Sequence, residues 1–308
     1  MSRPLPKIVV LTGPTGIGKT ALAVQLIERF GGEVVSADSR QVYKYLDVGT
    51  AKPDLDELRR ARHHLIDYVD PAEPYSVTRY REDADAVLED LAAREQTAWV
   101  VGGSWHYIQA LVDRIEPPQV PPNPELRAEL EAEAAAHGPE ALHARLAALD
   151  PAAAAMIERR NVRRVIRALE VTMTLGRPFS EVGRARGTPL PALKLVLSMP
   201  RDEIYRRVDA RVDAMIAAGW LDEVRSLLLR GYDESMPSLS SHGYREMMAV
   251  ARGTMPVEDA AQKTKWAIHA YVRRQTSWLK SQPDYHWLET RPSAEEQASA
   301  LVGRFLAG

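Results

Sequence analysis

Residues 11–20 read LTGPTGIGKT, a glycine-rich turn that closes on a lysine and a threonine. Gly13, Gly18, Lys19 and Thr20 fit the spacing G-x-x-x-x-G-K-[ST]. The flanks suit it, with the apolar run KIVVLTG (7–13) before the turn and a helical pattern (Lys19–Phe30) after it. A strand, a glycine turn and a helix N-terminus make an anion cradle: the glycines let main-chain N–H groups converge, and the helix end adds a favourable field. The cradle spans Gly13, Pro14, Thr15, Gly16, Ile17, Gly18, Lys19 and Thr20. Lys19 can reach the outer phosphate, and the Thr20 hydroxyl can ligate Mg²⁺. Which phosphate compound is held stays open at this point, because kinases, hydrolases and enzymes that discard diphosphate share such loops.

Outward from the loop, further strand-like runs are EVVSADS (33–39), TAWVVGGS (97–104) and LKLVLSM (193–199), with a weaker one at YHWLET (285–290). Most are continuous apolar runs, as parallel strands covered on both faces require. Helical patterns fall at Val77–Arg94, Asp202–Leu229 and Val257–Lys280. The alternation predicts an α/β fold, a P-loop NTPase-like parallel sheet flanked by helices. The proline-rich stretch EPPQVPPNPELR (116–127) interrupts it, and alanine-rich helices follow at Glu125–Ala136, Pro139–Leu149 and Ala152–Leu175. An all-helical insertion domain over 118–187 is therefore expected within a core of 1–117 and 188–308. Trp266 and Trp278 read as core residues, and His64 as a structural hydrogen-bonder.

The totals narrow the function. With no cysteine in 308 residues, disulfides, zinc knuckles, iron–sulfur clusters and thiol catalysis are excluded. The eight histidines show no metal-ligand spacing. No stretch approaches the ~18 apolar residues of a membrane helix, and the N-terminal apolar run is too short for a signal segment, so a cytoplasmic location without membrane contact is expected. Net charge is only −2, yet 156–187 holds eight arginines against the three glutamates Glu158, Glu170 and Glu181. Arg160, Arg163, Arg164 and Arg167 are spaced to form one helical stripe. Like charges at that spacing repel unless a polyanion lands on them, so nucleic-acid contact is expected.

Asp38 and Ser39 fall at the C-terminal end of the second strand, where ligands of α/β sheets lie. Asp38 reads as a metal-binding acid or, more plainly, a helix cap. The third strand ends in VVGGSWHY without an acid, unlike an NTP hydrolase. In order, GPTGIGKTALA, SADSRQVYKYLDVGTAKP, HHLIDYVDPAEPYSV, VVGGSWHYIQAL, RRVIRALEV and SHGYREM resemble the bacterial tRNA dimethylallyltransferases, or tRNA isopentenyltransferases. The resemblance runs from the phosphate loop to Trp278.

It implies transfer of a dimethylallyl group from dimethylallyl diphosphate to N6 of the adenosine 3′ of the anticodon, tRNA position 37, with release of diphosphate. It places the general base on Asp38 and a diphosphate-gripping arginine on Arg211. The catalytic threonine that relatives carry after the double glycine is here Ser104, which keeps the hydroxyl and loses a methyl. Contacts to the tRNA anticodon stem-loop align with Asp38, Ser39, Arg40 and Gln41, with Ser104 and Arg127, and with Arg163, Arg164, Val165, Ile166 and Arg167. They continue at Ser240, Ser241, His242, Gly243, Tyr244 and Arg245, where Ser241 and His242 replace residues that are usually small or apolar. The cofactor implied is Mg²⁺, and a monomer is expected.

Two rivals share the loop. An adenylate isopentenyltransferase acting on a free nucleotide needs neither the insertion nor the arginine stripe. A P-loop nucleotide kinase would make the insertion a lid, but leaves the Asp38–Pro53 block without a role. A non-catalytic RNA-binding protein leaves the intact loop without one.

Overall fold

The computed structural model describes residues 5–118, 120–182, 187–290 and 294–308. Two compact units divide the chain, one of residues 1–112 with 190–308 and one of residues 113–189. The first unit runs β1 (Ile8–Thr12), α1 (Lys19–Phe30), β2 (Glu33–Ser36), α2 (Leu55–Arg60), β3 (His63–His64), α3 (Val77–Ala93), β4 (Ala98–Val101) and α4 (Trp105–Leu111). The second unit contributes α5 (Pro124–His137), α6 (Pro139–Leu149), α7 (Pro151–Met156), α8 (Val162–Leu175) and α9 (Phe179–Val182). The first resumes with β5 (Ala192–Ser198), α10 (Arg201–Ala217), α11 (Trp220–Leu229), a 3₁₀ turn at Pro237–Ser240, and α12 (Tyr244–Ala251). It closes with α13 (Val257–Lys280), β6 (His286–Glu289) and α14 (Ala294–Ala307).

The sheet is parallel, in the order β3-β2-β4-β1-β5-β6. Central β1 is buried at every position because helices cover both faces, which is why its sequence does not alternate. One apolar layer lies under α1 and α14, around Val9, Leu11 and Trp99; the other lies under α3, around Val10, Val100 and Leu88. A third cluster surrounds the fully buried Trp220.

Several expectations need correction. The sheet gains β3, two histidines that carry no apolar signal and pair with Val34 and Val35. The helix expected over 202–229 breaks before Gly219, whose φ of 96° is left-handed and starts α11. The one expected over 152–175 breaks at Ile157, which is extended, and restarts when the Asn161 side chain caps Arg164 N–H. Trp266 is 62% exposed rather than core, whereas Trp278 packs on Trp105 with centroids 3.9 Å apart. His64 does hold structure, with Nε2 2.6 Å from Glu33 Oε2.

In the second unit, Leu130, Leu142, Leu146, Val165 and Leu169 form a core of their own. The arginine stripe is not what its spacing suggested. Arg160 precedes α8, and Arg184 and Arg186 lie outside the described residues. Arg167 is not a lone cation: Nη1 lies 2.6 Å from the Glu170 carboxylate, and Nη2 donates to Val120 O at 3.0 Å. Arg127 meets the same carboxylate with two bonds of 2.8 Å, and Asn123 N–H adds a fourth donor at 2.7 Å. Glu170, 0% exposed, thereby ties the start of α5 to α8. Arg163 and Arg164 remain exposed, while Val165 and Ile166 turn into the core.

Burial alone would raise the Glu170 pKa, but the bonds from Arg127, Asn123 and Arg167 outweigh it and hold the group at about 2. An unfolded glutamate titrates near ~4.3, so the carboxylate contributes stability above roughly that pH and loses it as pH falls towards 2. Glu170→Gln is therefore expected to cost about 1–3 kcal/mol at pH 7, because the arginines it leaves can still reach water. Thermal melts from pH 7 to pH 3 check this: the gap between wild type and variant should shrink as the acid limit is approached.

Candidate active site

The phosphate loop joins β1 to α1 as its sequence requires. Gly18 has φ 97° and N-caps α1 in a left-handed conformation that a side chain would strain. A Cβ on Gly13 would stand 2.9 Å from Leu197 O on the neighbouring strand. No acidic residue occupies the first turn of α1, so nothing offsets the positive end of its dipole. One of the eight cradle positions contributes less than the motif suggests: Pro14 has no N–H to offer an anion. Ile17 turns its side chain into the core, which leaves its N–H for the loop.

Lys19 Nζ donates to Gly13 O at 3.1 Å and Pro14 O at 3.0 Å. Burial lowers its pKa to about 8, with the Asp38 charge opposing the shift and Arg211 adding to it. Arg211, half-buried on α10, is likewise lowered by burial and supported by Asp38. Two cations are thus held partly desolvated beside one carboxylate. Such charges interact strongly with an incoming anion because little water screens them.

Asp38 follows β2 in a turn, not at a helix. Its Oδ1 accepts the N–H groups of Arg40 at 2.8 Å and Gln41 at 3.3 Å. This is an Asx turn, so the helix-cap alternative does not hold. Ser39 N–H donates to Ser104 Oγ at 2.9 Å, and Ser104 N–H to Ala37 O at 3.0 Å. The Ser104 side chain therefore fixes the Asp38 turn to the end of β4. Arg40 is spent on the protein, bonding Pro237 O at 2.9 Å and Ser240 Oγ at 3.2 Å. Gln41 donates to Ala51 O at 2.8 Å.

Asp38, Ser39, Arg40, Ser104 and Arg211 border a cavity of about 260 Å³. Thr15, Asp38, Ser104 and Arg211 form its polar side; Val208, Val212, Met215 and Ile268 form an apolar side. Ser240, Ser241, His242 and Tyr271 complete it. The His242 ring lies 5.4 Å from Tyr271, and burial, with Arg274 and Arg40, lowers its pKa. The cavity suits a ligand with an anionic head and a short hydrocarbon tail, delivered next to a carboxylate. Gly243 and Tyr244 do not line it: Tyr244 is fully buried, and Gly243 packs so closely on Trp220 that a Cβ would lie 2.1 Å from the indole. Arg245 is exposed.

Two residues at the site escaped sequence reasoning, Tyr271 and Gln275 on α13. Gln275 is 2% exposed. Its Oε1 accepts Thr15 N–H at 3.0 Å and its Nε2 donates to Gly103 O at 3.1 Å. The signal was a glutamine in the apolar stripe Ile268–Val272–Gln275–Leu279, at core spacing on an amphipathic helix.

A family model described as IPP transferase matches residues 41–282. The tRNA dimethylallyltransferase of Thermomicrobium roseum is 46% identical over 300 residues, covering 97% of this chain and 91% of the relative. That of an Anaeromyxobacter species is 46% identical and covers 96% and 97%. Among solved structures, the full-length tRNA isopentenylpyrophosphate transferase of Bacillus halodurans aligns with a TM-score of 0.72 at 33% identity, over 98% of this chain and 97% of that one. A eukaryotic dimethylallyltransferase captured acting on tRNA aligns with a TM-score of 0.79 at 26% identity, over 98% of this chain and 80% of its own. With the loop set between β1 and α1 of a parallel sheet, the fold is P-loop NTPase-like.

Because Lys19 titrates at about 8, its cation is present below that pH and lost above it. Inorganic diphosphate should therefore bind progressively more weakly to the wild type than its own ionisation dictates as pH rises from 7 to 9. Lys19→Met should bind weakly throughout and lack this component. Calorimetric titration of both proteins across the range checks the difference.

Proposed function

Because the chain belongs to the IPP transferase family, we propose that it transfers a dimethylallyl group from dimethylallyl diphosphate to N6 of adenosine 37 in tRNA, releasing diphosphate. One observation carries the reading: Arg211, the Asp38 carboxylate and a short apolar wall border a single cavity, and the Lys19 cation interacts electrostatically with both charged groups. A kinase leaves the Asp38–Pro53 block without a role.

The diphosphate lies in the loop, against the N–H groups of Gly16–Thr20, Lys19 and Arg211, and the dimethylallyl tail lies along Val208, Val212 and Met215. As the allylic C–O bond breaks, its electron pair leaves with the diphosphate, and the two cations stabilise the charge that develops. The adenine N6 lone pair forms the new N–C bond, and Asp38 takes the N6 proton. The Asx turn fixes this base: Oδ1 is occupied by Arg40 and Gln41 N–H, which leaves the other carboxylate oxygen for the proton. Ser104 holds that turn in place through Ser39 N–H. A divalent cation fits at Thr20, whose hydroxyl is an oxygen donor of the kind that a hard ion such as Mg²⁺ prefers. When bound, it neutralises charge on the leaving diphosphate.

The adenine must leave its stack to reach a half-buried carboxylate, at low cost in a partly single-stranded loop. Exposed Arg163 and Arg164 in the helical unit, and Arg245 on α12, are the side chains we assign to tRNA phosphates. Arg127 and Arg167 act indirectly, through Glu170. Among the described residues, no helix is long and apolar enough to cross a membrane, and we assign the protein to the cytoplasm as a monomer.

The reading is tested by offering the purified protein dimethylallyl diphosphate with unmodified tRNA, AMP or ATP. Prenylated tRNA is expected; transfer to AMP alone would make it an adenylate isopentenyltransferase. In the same assay Asp38→Asn keeps the shape of the turn but cannot take the proton, so kcat should fall about 10²–10⁴-fold with substrate affinities changed far less. Loss of metal affinity instead would make Asp38 a metal ligand. The double substitution Arg163→Ala, Arg164→Ala should raise the tRNA KM and reduce the salt slope of tRNA binding by about 2, one for each guanidinium taken off a phosphate, while the KM for the prenyl donor stays unchanged.

A further inference from the structure

Gln275 lies where the apolar stripe of α13 passes under the site, and its amide is bonded at both ends. Neither bond is needed to satisfy α13, and a leucine would fill the space as well. Burying an amide is unfavourable unless its bonds are made, so this position favours glutamine only if the bonds accomplish something. They join two separate parts of the site. At one end is Thr15 of the phosphate loop. At the other is Gly103, where a Cβ would stand 2.6 Å from Gln275 Nε2 and 3.8 Å from Lys19 Nζ. The next residue, Ser104, holds the Asp38 turn through Ala37 O and Ser39 N–H. A continuous chain of hydrogen bonds thus runs from the phosphate loop through Gln275 to the turn that carries the carboxylate.

We propose that Gln275 is a positioning residue that sets the phosphate loop in register with the Asp38 turn. By occupying Thr15 N–H, it also directs the anion to the N–H groups further along the loop. The inference rests on the prenyl-diphosphate reading above: the register that it fixes is the one between leaving group and proton acceptor. It acts through the backbone of Thr15 and Gly103 and touches no reacting atom.

The test uses the full chain with two substitutions. Gln275→Leu keeps the volume and removes both bonds; Gln275→Glu keeps the shape and the acceptor for Thr15 but replaces the donor to Gly103 with a carboxylate oxygen. Inorganic diphosphate is titrated calorimetrically into wild type and both variants, melting temperatures are recorded alongside, and KM for donor and for tRNA are measured separately. Both variants should bind diphosphate about tenfold to a hundredfold more weakly, with donor KM raised in parallel and tRNA KM unchanged. If Gln275→Glu, folded as judged by its melt, binds diphosphate as the wild type does and keeps its donor KM, Gln275 is packing only and the proposal is overturned. If the wild type itself fails to bind diphosphate, the prenyl-diphosphate reading falls first, before any substitution is compared.

Discussion

The site depends on a turn with no room for side chains. After β4, a Cβ on Gly102 would lie 2.1 Å from Ala37 O, and one on Gly103 would lie 2.6 Å from Gln275 Nε2. Both obstacles are close, and the first is backbone that cannot rotate away. Only a double glycine lets the end of β4 approach the end of β2 closely enough for Ser104 to hold Ser39, and lets Gln275 reach across to the phosphate loop. Parallel neighbours β2, β4 and β1 bring these strand ends to one edge of the sheet, and the glycines close the remaining gap.

A second crowded point joins two of the quoted sequence blocks. Trp220 is fully buried, and a Cβ on Gly49 would come within 2.1 Å of its indole nitrogen, just as one on Gly243 would meet its far edge. The segments DVGTAKP and SHGYREM thus meet the same ring from different parts of the chain. Glu223, three residues after Trp220, accepts the N–H groups of Asp47, Val48 and Gly49 and the hydroxyl of Tyr244. A carboxylate bound by several N–H groups is a strong anchor, so the wall of the cavity at Gly49 and Thr50 is fixed before any ligand arrives.

The electrostatics follow from this rigidity. Lys19 and Arg211 are held partly desolvated and near one another, an arrangement that favours neither cation alone and that Asp38 only partly relieves. In the proposed reaction a bound diphosphate relieves it, which would let a preorganised site convert folding free energy into leaving-group stabilisation. The helical unit is organised differently. Arg127 and Arg167 are tied down by buried Glu170 while Arg163 and Arg164 are left exposed, a division that spacing alone does not reveal because a glutamate three residues away looks the same whether buried or solvated.

By itself the sequence determined the phosphate loop, the parallel sheet and the place of Asp38 at a strand end, because these are properties of local spacing: glycines where φ must be positive, apolar runs where both faces are covered. It also carried the family resemblance, through the quoted blocks taken in order. The two-residue strand of His63 and His64 and the exposure of Trp266 depend on partners distant in the chain, and no local pattern encodes them, whereas the helix breaks carry local marks, Gly219 in its left-handed conformation and the Asn161 cap. Tertiary structure alone decided which arginines are tied to a buried carboxylate, which of the aligned residues face the cavity, and that a glutamine 260 positions away bonds the phosphate loop. The physical reason is that a hydrogen bond between distant segments depends on where the fold brings them, and a sequence read along its length records only what each residue is.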